Sequence, residues 1–310
     1  MLVVRDLALT IRGAEALAAT SFSLSLGESL GIVGESGSGK SLLALALIGL
    51  LPATVRRTGS IQLGPNTLSD LDEAGWCRVR GRKIGMVFQE PMTALNPVLP
   101  IGAQVAEGIR LHRGLDAAAA RSEALRLLDR VQLPAAARRY DQYPHQLSGG
   151  QRQRVGIAIA LAADPDLLIA DEPTTALDVT VQAEILDLLA DLTASSGMAL
   201  ILISHDLGVV ASVTRSILVL YAGHVVERGP TGAVLSTPIH PYTRGLLKAL
   251  PEAELERLEP IPGVVPPLGA RPSGCVFRDR CTLAEARCLA APPEVGRAGR
   301  AVACHAVSVP

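Results

Sequence analysis

Aromatic side chains are scarce: Phe, Trp and Tyr make up 3% of the 310 residues, so the core must be filled by Ala, Leu, Val and Ile. Hydrophobic residues reach 48%, enough for a substantial buried interior. No charge of one sign dominates. With 29 basic and 30 acidic residues the net charge is −1, which argues against a protein that coats nucleic acid. A long apolar run is also missing. The longest, from Leu42 to Leu51, has about ten residues against the roughly 20 of a membrane-spanning helix, so the positive mean hydropathy does not point to a span. The stretch from Met1 to Thr10 carries Arg5 and Asp6 and alternates like a strand, unlike a signal peptide. The expectation is a cytoplasmic protein.

What is present is ordered punctuation. Leu2–Leu9 and Ser21–Leu26 read as strands, and Leu30–Val33 is an apolar run that stops at a glycine-rich loop. A Leu/Ala-rich helix follows from Lys40, and Ser60–Leu63 and Ile84–Phe88 are further strand candidates. From about Ala94 to Ala163 strand signal fades, and Ala, Leu and Arg recur at helical spacing, as in Arg121–Val131. Strand and helix then alternate through Leu167–Ala170, Thr180–Thr193, Ala199–Ser204 and Ile217–Tyr221. This pattern predicts an α/β domain with a largely parallel sheet. After about Ser236 proline becomes dense, from Pro251 to Pro293, and periodicity is lost. Such a segment needs docking or a metal to be ordered.

The glycine-rich loop, Gly34-Glu35-Ser36-Gly37-Ser38-Gly39-Lys40-Ser41, matches GxxxxGK[ST] at every defined position, between a strand and a helix. Its glycines let backbone N–H groups converge on phosphates, and the following helix adds its dipole. Lys40 is expected on the β/γ-phosphates and the Ser41 hydroxyl on Mg²⁺. The bland alternative, a flexible Gly/Ser turn, does not account for that context. Leu167–Ala170 carries Asp171 and Glu172 to the end of a strand, where open α/β folds bind ligands. Asp171 is placed to hold Mg²⁺ and Glu172 to polarise an attacking water. An Asp-Glu pair in front of a helix is also a good cap, and only the phosphate loop tips the balance.

Leu147-Ser148-Gly149-Gly150-Gln151, followed by an apolar helix, resembles the signature motif of ATP-binding cassette (ABC) proteins. Ser148 and the N–H groups of Gly149 and Gly150 would form a second anion site at a helix start. In the family that site closes over the γ-phosphate held by an opposite subunit, making ATP the joint of a head-to-tail dimer. The resemblance extends to Gln89 as the Q-loop glutamine near Mg²⁺, Asp178 as the D-loop aspartate and His205 as the switch histidine. Taken singly, these would read as a solvated turn, a helix cap and a satisfied strand-end imidazole. Where the family places an aromatic against adenine, this sequence has Ile11. The implied fold is the P-loop NTPase cassette: a RecA-like core with an antiparallel β subdomain and a helical subdomain of about residues 92–163, within 1–235. A loop-rich extension of 236–310 follows.

Met92-Thr93-Ala94-Leu95-Asn96-Pro97, Tyr143-Pro144-His145-Gln146, His240-Pro241-Tyr242-Thr243 and the tail from Pro272 to His305 resemble the dipeptide, oligopeptide and nickel importer branch. That branch implies a second cassette subunit (a sister chain, otherwise a second copy), two membrane permease subunits and an external solute-binding protein. The chain is then expected at the cytoplasmic face of the membrane. Cys275, Cys281, Cys288 and Cys304 lack any CxxC pair, so spacing leaves zinc, an iron–sulfur cluster or free thiols open. The resemblance implies a [4Fe–4S] cluster there. Cys77 reads as a bystander, and His305 as a neighbour of the cluster rather than a ligand. Competing functions are a soluble ABC ATPase of DNA repair or translation, a poorly hydrolysing cassette partner, and an exporter. No second cassette and no heptad array supports the first.

Overall fold

The computed structural model describes residues 1–89, 94–249, 260–297 and 299–307. Met92, Thr93 and Pro251, named above, lie outside them. Along the chain run β1 (Leu2–Ile11), β2 (Ala14–Leu24), β3 (Ser29–Val33), α1 (Lys40–Leu47), β4 (Val55–Leu63), β5 (Asn66–Thr67), α2 (Glu73–Val79) and β6 (Ile84–Val87). The middle holds α3 (Ile101–Arg113), α4 (Ala117–Arg130), α5 (Ala136–Arg139) and α6 (Gly149–Leu161). Then come β7 (Leu167–Asp171), α7 (Val179–Ser196), β8 (Ala199–Ser204), α8 (Leu207–Val213), β9 (Ser216–Tyr221) and β10 (His224–Pro230). The tail adds α9 (Thr231–Ser236), α10 (Pro241–Lys248), β11 (Glu294–Arg297) and β12 (Arg300–Ala303).

Two compact units form. The first gathers residues 1–25, 29–70 and 203–310, and the second 26–28 and 71–202. In the first unit an antiparallel sheet has the order β2-β1-β4-β5, and a second set of strands the order β11-β12-β10-β9-β3. β3 pairs in parallel with β9 (Leu30 opposite Ser216, Val33 opposite Val219), and all five of its residues are buried. A strand covered on both faces needs an unbroken apolar run, and Leu30–Val33 supplies one. β9 turns into β10 through Ala222 and Gly223, both at positive φ (45° and 82°), the two-residue turn that matches strand twist.

In the second unit the strands follow the order β8-β7-β6, with β6 parallel to β7 from Ile84 opposite Leu167 to Val87 opposite Ala170. β8 runs across the boundary between the units. α3, α4 and α6 pack on one another, α6 also contacts β6 and α7, and Asp116 and Asp178 cap the starts of α4 and α7. The expected helical stretch is thus present, with α2 an element the sequence reading missed. No helix among the described residues is long and apolar enough to cross a membrane.

The described part of the proline-rich tail is docked. β12 pairs with β10 (Glu227 opposite Val302), and Phe277 is buried against Tyr221 and Tyr242, ring centroids 5.0 and 5.4 Å away.

Candidate functional site

In the first unit the loop from Gly34 to Ser41 leaves β3 and enters α1. A Cβ on Gly34 would stand 2.1 Å from the Leu220 carbonyl oxygen, so only glycine lets the loop pass β9. Gly39 opens α1 in the left-handed conformation (φ 100°) and gives the helix start no side-chain cap. Lys40 is buried; its Nζ donates to the Gly34 carbonyl at 2.7 Å and to the Glu35 carbonyl at 3.1 Å. The loop thereby folds around its own lysine. Ser38 donates its N–H to Glu35 and accepts from Gly223 through its carbonyl (2.9 Å), yet its buried Oγ has no hydrogen-bond partner among the described residues. A buried hydroxyl left without a partner fits a loop made to meet a further polar group. Ser36, Gly37 and Ser41 are exposed.

His205, also of the first unit, is exposed at the end of β8, followed by Asp206, which caps α8 through Gly208 N and Val209 N. Ile11 ends β1, half-buried between Ala14 and Val55.

In the second unit Asp171 ends β7 and is buried. Glu172 follows with φ 47°, a conformation uncommon outside glycine. Its Oε2 accepts from Gln89 Nε2 at 3.1 Å and from Thr175 Oγ1 at 3.0 Å. Gln89 and Glu172, both expected at the catalytic site, are therefore in contact. Asp178 does cap α7, taking the Val181 N–H at 3.0 Å.

The signature segment forms a reciprocal cap on α6. Ser148 Oγ accepts from Gln151 N (3.3 Å), while Gln151 Oε1 accepts from Ser148 N (3.1 Å). Gly149 and Gly150 face Leu177 and Val181; a Cβ on Gly150 would come within 2.5 Å of Val181 Cγ1. Small residues here let α6 lie close to the segment that carries Asp178.

Sequence reasoning missed Thr175, Tyr242 and Arg280. Tyr242 Oη accepts the Glu35 N–H at 2.9 Å, and Arg280 grips the Glu35 carboxylate with both terminal nitrogens (2.7 and 3.1 Å). The one available signal was the His240-Pro241-Tyr242-Thr243 motif; nothing in spacing links residue 280 to residue 35.

The metal expected on the cysteines finds no support in the structure. Cys275, Cys288 and Cys304 are buried and Cys281 is half-buried, all as free thiols. Among the described residues no group of three or more His, Cys, Asp or Glu side chains is gathered so as to hold a metal ion. The thiols do not fit a single zinc ion as they stand. Burial, and then the neighbouring thiols, raise Cys275 above the ordinary thiol range. Cys281 and Cys304 are also raised, first by burial, which disfavours the thiolate a metal requires. His305 Nε2 lies 3.1 Å from the Ala290 carbonyl, and Cys77 is exposed on α2.

Together, the strand–loop–helix with its buried lysine and the strand ending in Asp171-Glu172 define a nucleoside-triphosphatase of the P-loop class. The family model of the ABC transporter matches residues 17–175, and that of the oligopeptide/dipeptide transporter C-terminal region matches residues 226–288. A Brucella abortus (strain 2308) protein whose assigned name is that of a peptide import ATP-binding protein is 52% identical over 92% of this chain and 87% of its own length. A Brucella melitensis protein of the same description is 51% identical over the same shares. Among solved structures, the ATP-binding cassette MJ0796, in a dimeric post-hydrolysis state with ADP and Pi, is 31% identical with a TM-score of 0.67. It covers 74% of this chain and 99% of its own. The cbiO1 protein of Clostridium perfringens, part of an ABC transporter complex, is 29% identical with the same TM-score, covering 76% and 90%. The chain belongs to the ABC transporter family; it is an ATP-binding, ATP-hydrolysing cassette.

Proposed function

We propose that this cassette is the energy-supplying subunit of a peptide importer, attached to separate permease subunits at the cytoplasmic face of the membrane. The observation that carries the ATPase chemistry is the contact of Gln89 and Thr175 with Glu172, which holds one carboxylate oxygen in place beside Asp171. Gly34 to Ser41 bind the phosphates, with Lys40 neutralising charge and the Ser41 hydroxyl, Asp171 and Gln89 serving Mg²⁺. Magnesium supplies charge neutralisation at the transferring phosphoryl group. Glu172 orients the attacking water and accepts its proton; His205 contacts the γ-phosphate. Ser148, Gly149, Gly150 and Gln151 close on the nucleotide of a second cassette, a sister chain in preference to a second copy, and Asp178 borders that joint. Ile11 packs on the base without stacking. In this division 1–235 is the cassette and 236–310 the extension.

Support for peptide cargo comes from the C-terminal region match and from the names of the Brucella proteins. Substrate choice then rests with the permeases and an external solute-binding protein. Co-expression with the permeases should yield a complex whose ATPase rate rises with peptide-loaded binding protein. A chain that hydrolyses ATP at full rate and retains no permease would instead favour the soluble ATPase reading.

A [4Fe–4S] cluster on Cys275, Cys281, Cys288 and Cys304 is a separate proposal. Its support is that the four cysteines share one docked segment, Cys275, Cys288 and Cys304 buried and Cys281 half-buried. Anaerobic purification should give a brown protein with iron and sulfide; colourless protein free of iron removes it.

A further inference from the structure

The tail reaches the phosphate loop, and it does so through one charged pair. Arg280 Nη1 lies 2.7 Å from Glu35 Oε2 and Nη2 3.1 Å from Oε1, a two-pronged geometry that fixes both carboxylate oxygens. The guanidinium side chain is 6% exposed and that of Glu35 31%. Arg280 is itself over-determined: Nε donates to the Pro262 carbonyl at 2.7 Å, and the guanidinium carbon sits 5.6 Å from the Tyr221 ring centre. Burial works against its charge, but the bonds to Glu35 and Tyr221 outweigh that and hold it above the ordinary arginine range.

Glu35 is anchored at both ends. Its N–H goes to Tyr242 Oη, its carboxylate to Arg280, and its carbonyl takes the Lys40 ammonium at 3.1 Å. A loop that receives a polyanion thus carries a carboxylate of its own. Left unpaired, that charge would repel the phosphates. Paired and turned onto Arg280, it becomes a tether.

We propose that Arg280 is a positioning residue of the phosphate loop, neutralising and restraining Glu35 so that the loop stays shaped and electrostatically open for MgATP. The proposal rests on the reading of Gly34–Ser41 as the MgATP site. It ties nucleotide affinity to the docked cysteine-bearing segment, because Arg280 lies between Cys275 and Cys281 with Phe277.

The test is the MgATP Kd of the full chain, by calorimetry, for wild type, Arg280→Gln, Glu35→Gln and the double variant, at low and high salt. Arg280→Gln should bind about tenfold more weakly, the scale of one unpaired charge roughly 12 Å from a phosphate charge at an effective dielectric of about 20. In the double variant, Glu35→Gln should recover most of the loss that Arg280→Gln alone produces. High salt should narrow the Arg280→Gln deficit. A purely structural role would predict two losses that accumulate. Arg280→Lys, which keeps the charge, should bind between wild type and Arg280→Gln, and carries the test if Arg280→Gln does not fold. Wild-type affinity in Arg280→Gln, in Arg280→Lys beside an unfolded Arg280→Gln, or a loss that Glu35→Gln leaves untouched, overturns the proposal. Absence of MgATP binding in wild type, equal to Lys40→Ala, would sink the site reading itself and is recognised separately.

Discussion

Glu172, the carboxylate proposed to act on the attacking water, sits on a strained backbone. A φ of 47° in a residue with a Cβ costs on the order of 1–3 kcal/mol and persists only where neighbours impose it. Here Thr175 donates its N–H to the Glu172 carbonyl (3.2 Å) and its hydroxyl to Oε2, and Gln89 reaches the same oxygen. Glu172→Gln keeps the size and the backbone but cannot take a proton. Turnover should fall about 10²- to 10⁴-fold while MgATP affinity is kept; steady-state phosphate release beside calorimetry checks it, and undiminished turnover would remove Glu172 from the chemistry. A second residue gives a pH signature. His240 caps α10, its Nδ1 accepting the Tyr242 N–H at 3.1 Å. Burial, and then the charge of Arg244, lower its pKa from 6.5 to about 3. Below about pH 6.5 the unfolded chain binds a proton that the folded chain refuses, so this contribution is whole above that pH and is lost on acidification toward 3. Asn at the same position still caps but does not titrate. Between pH 7 and 5 wild type should lose about 1–2 kcal/mol more than His240→Asn in urea melts. A gap that stays constant with pH refutes this.

At the scale of elements, the β11–β12 hairpin is fastened by a buried pair. Glu227 on β10 is fully buried; Oε1 takes Arg300 Nη2 (2.8 Å) and Ile239 N (3.0 Å), and Oε2 takes His240 N (2.9 Å). Arg300→Met leaves that carboxylate without its counter-charge and should cost about 3–5 kcal/mol, whereas Glu227→Gln/Arg300→Met should cost less than Arg300→Met alone. Chemical denaturation of both variants decides, and equal losses would show that charge is not the issue. This pair also shows where sequence legibility stops. β3, β7 and β8 were readable because strands buried on both faces are written as unbroken apolar runs, and the loop between β3 and α1 because phosphate binding constrains consecutive residues. β2 starts at Ala14 rather than Ser21, since the Ala-rich Ala14–Thr20 has no β-branched pattern before Thr20. β10 is not legible because its turn is Ala222-Gly223 instead of Asn-Gly or Asp-Gly. The tail's order is carried by pairings with distant residues (Arg300 with Glu227, Phe277 with Tyr221, Arg280 with Glu35), and no local window contains them. The loop from Gly34 to Ser41 is legible in consecutive residues, whereas Tyr242 and Arg280, which hold its Glu35, are not.

For the whole molecule, the decisive question is whether one chain suffices. Each copy carries one phosphate loop and one signature helix, and the cassette MJ0796 was captured as a dimer. A net charge of −1 puts little long-range repulsion between copies. If the signature acts on a partner's nucleotide, association must depend on ATP and on Ser148, while binding by the lone chain must not depend on Ser148. Ser148→Asp separates these effects. Aspartate caps a helix about as well as serine, so α6 and its stability should be preserved to within a few tenths of a kcal/mol. The same carboxylate would face a γ-phosphate across the joint and oppose closure. In the Glu172→Gln background, MgATP should therefore double the mass seen by light scattering, with itself or with a sister cassette. Adding Ser148→Asp should abolish the doubling and leave the melting temperature and the MgATP Kd of the separated chain unchanged. Lys40→Ala should abolish both binding and doubling. Mixing Ser148→Asp chains with Lys40→Ala chains should restore association through the one composite site that retains an intact loop and an intact signature. A dimer that forms without ATP, or that tolerates Ser148→Asp, would mean that the joint between copies lies somewhere other than the signature helix.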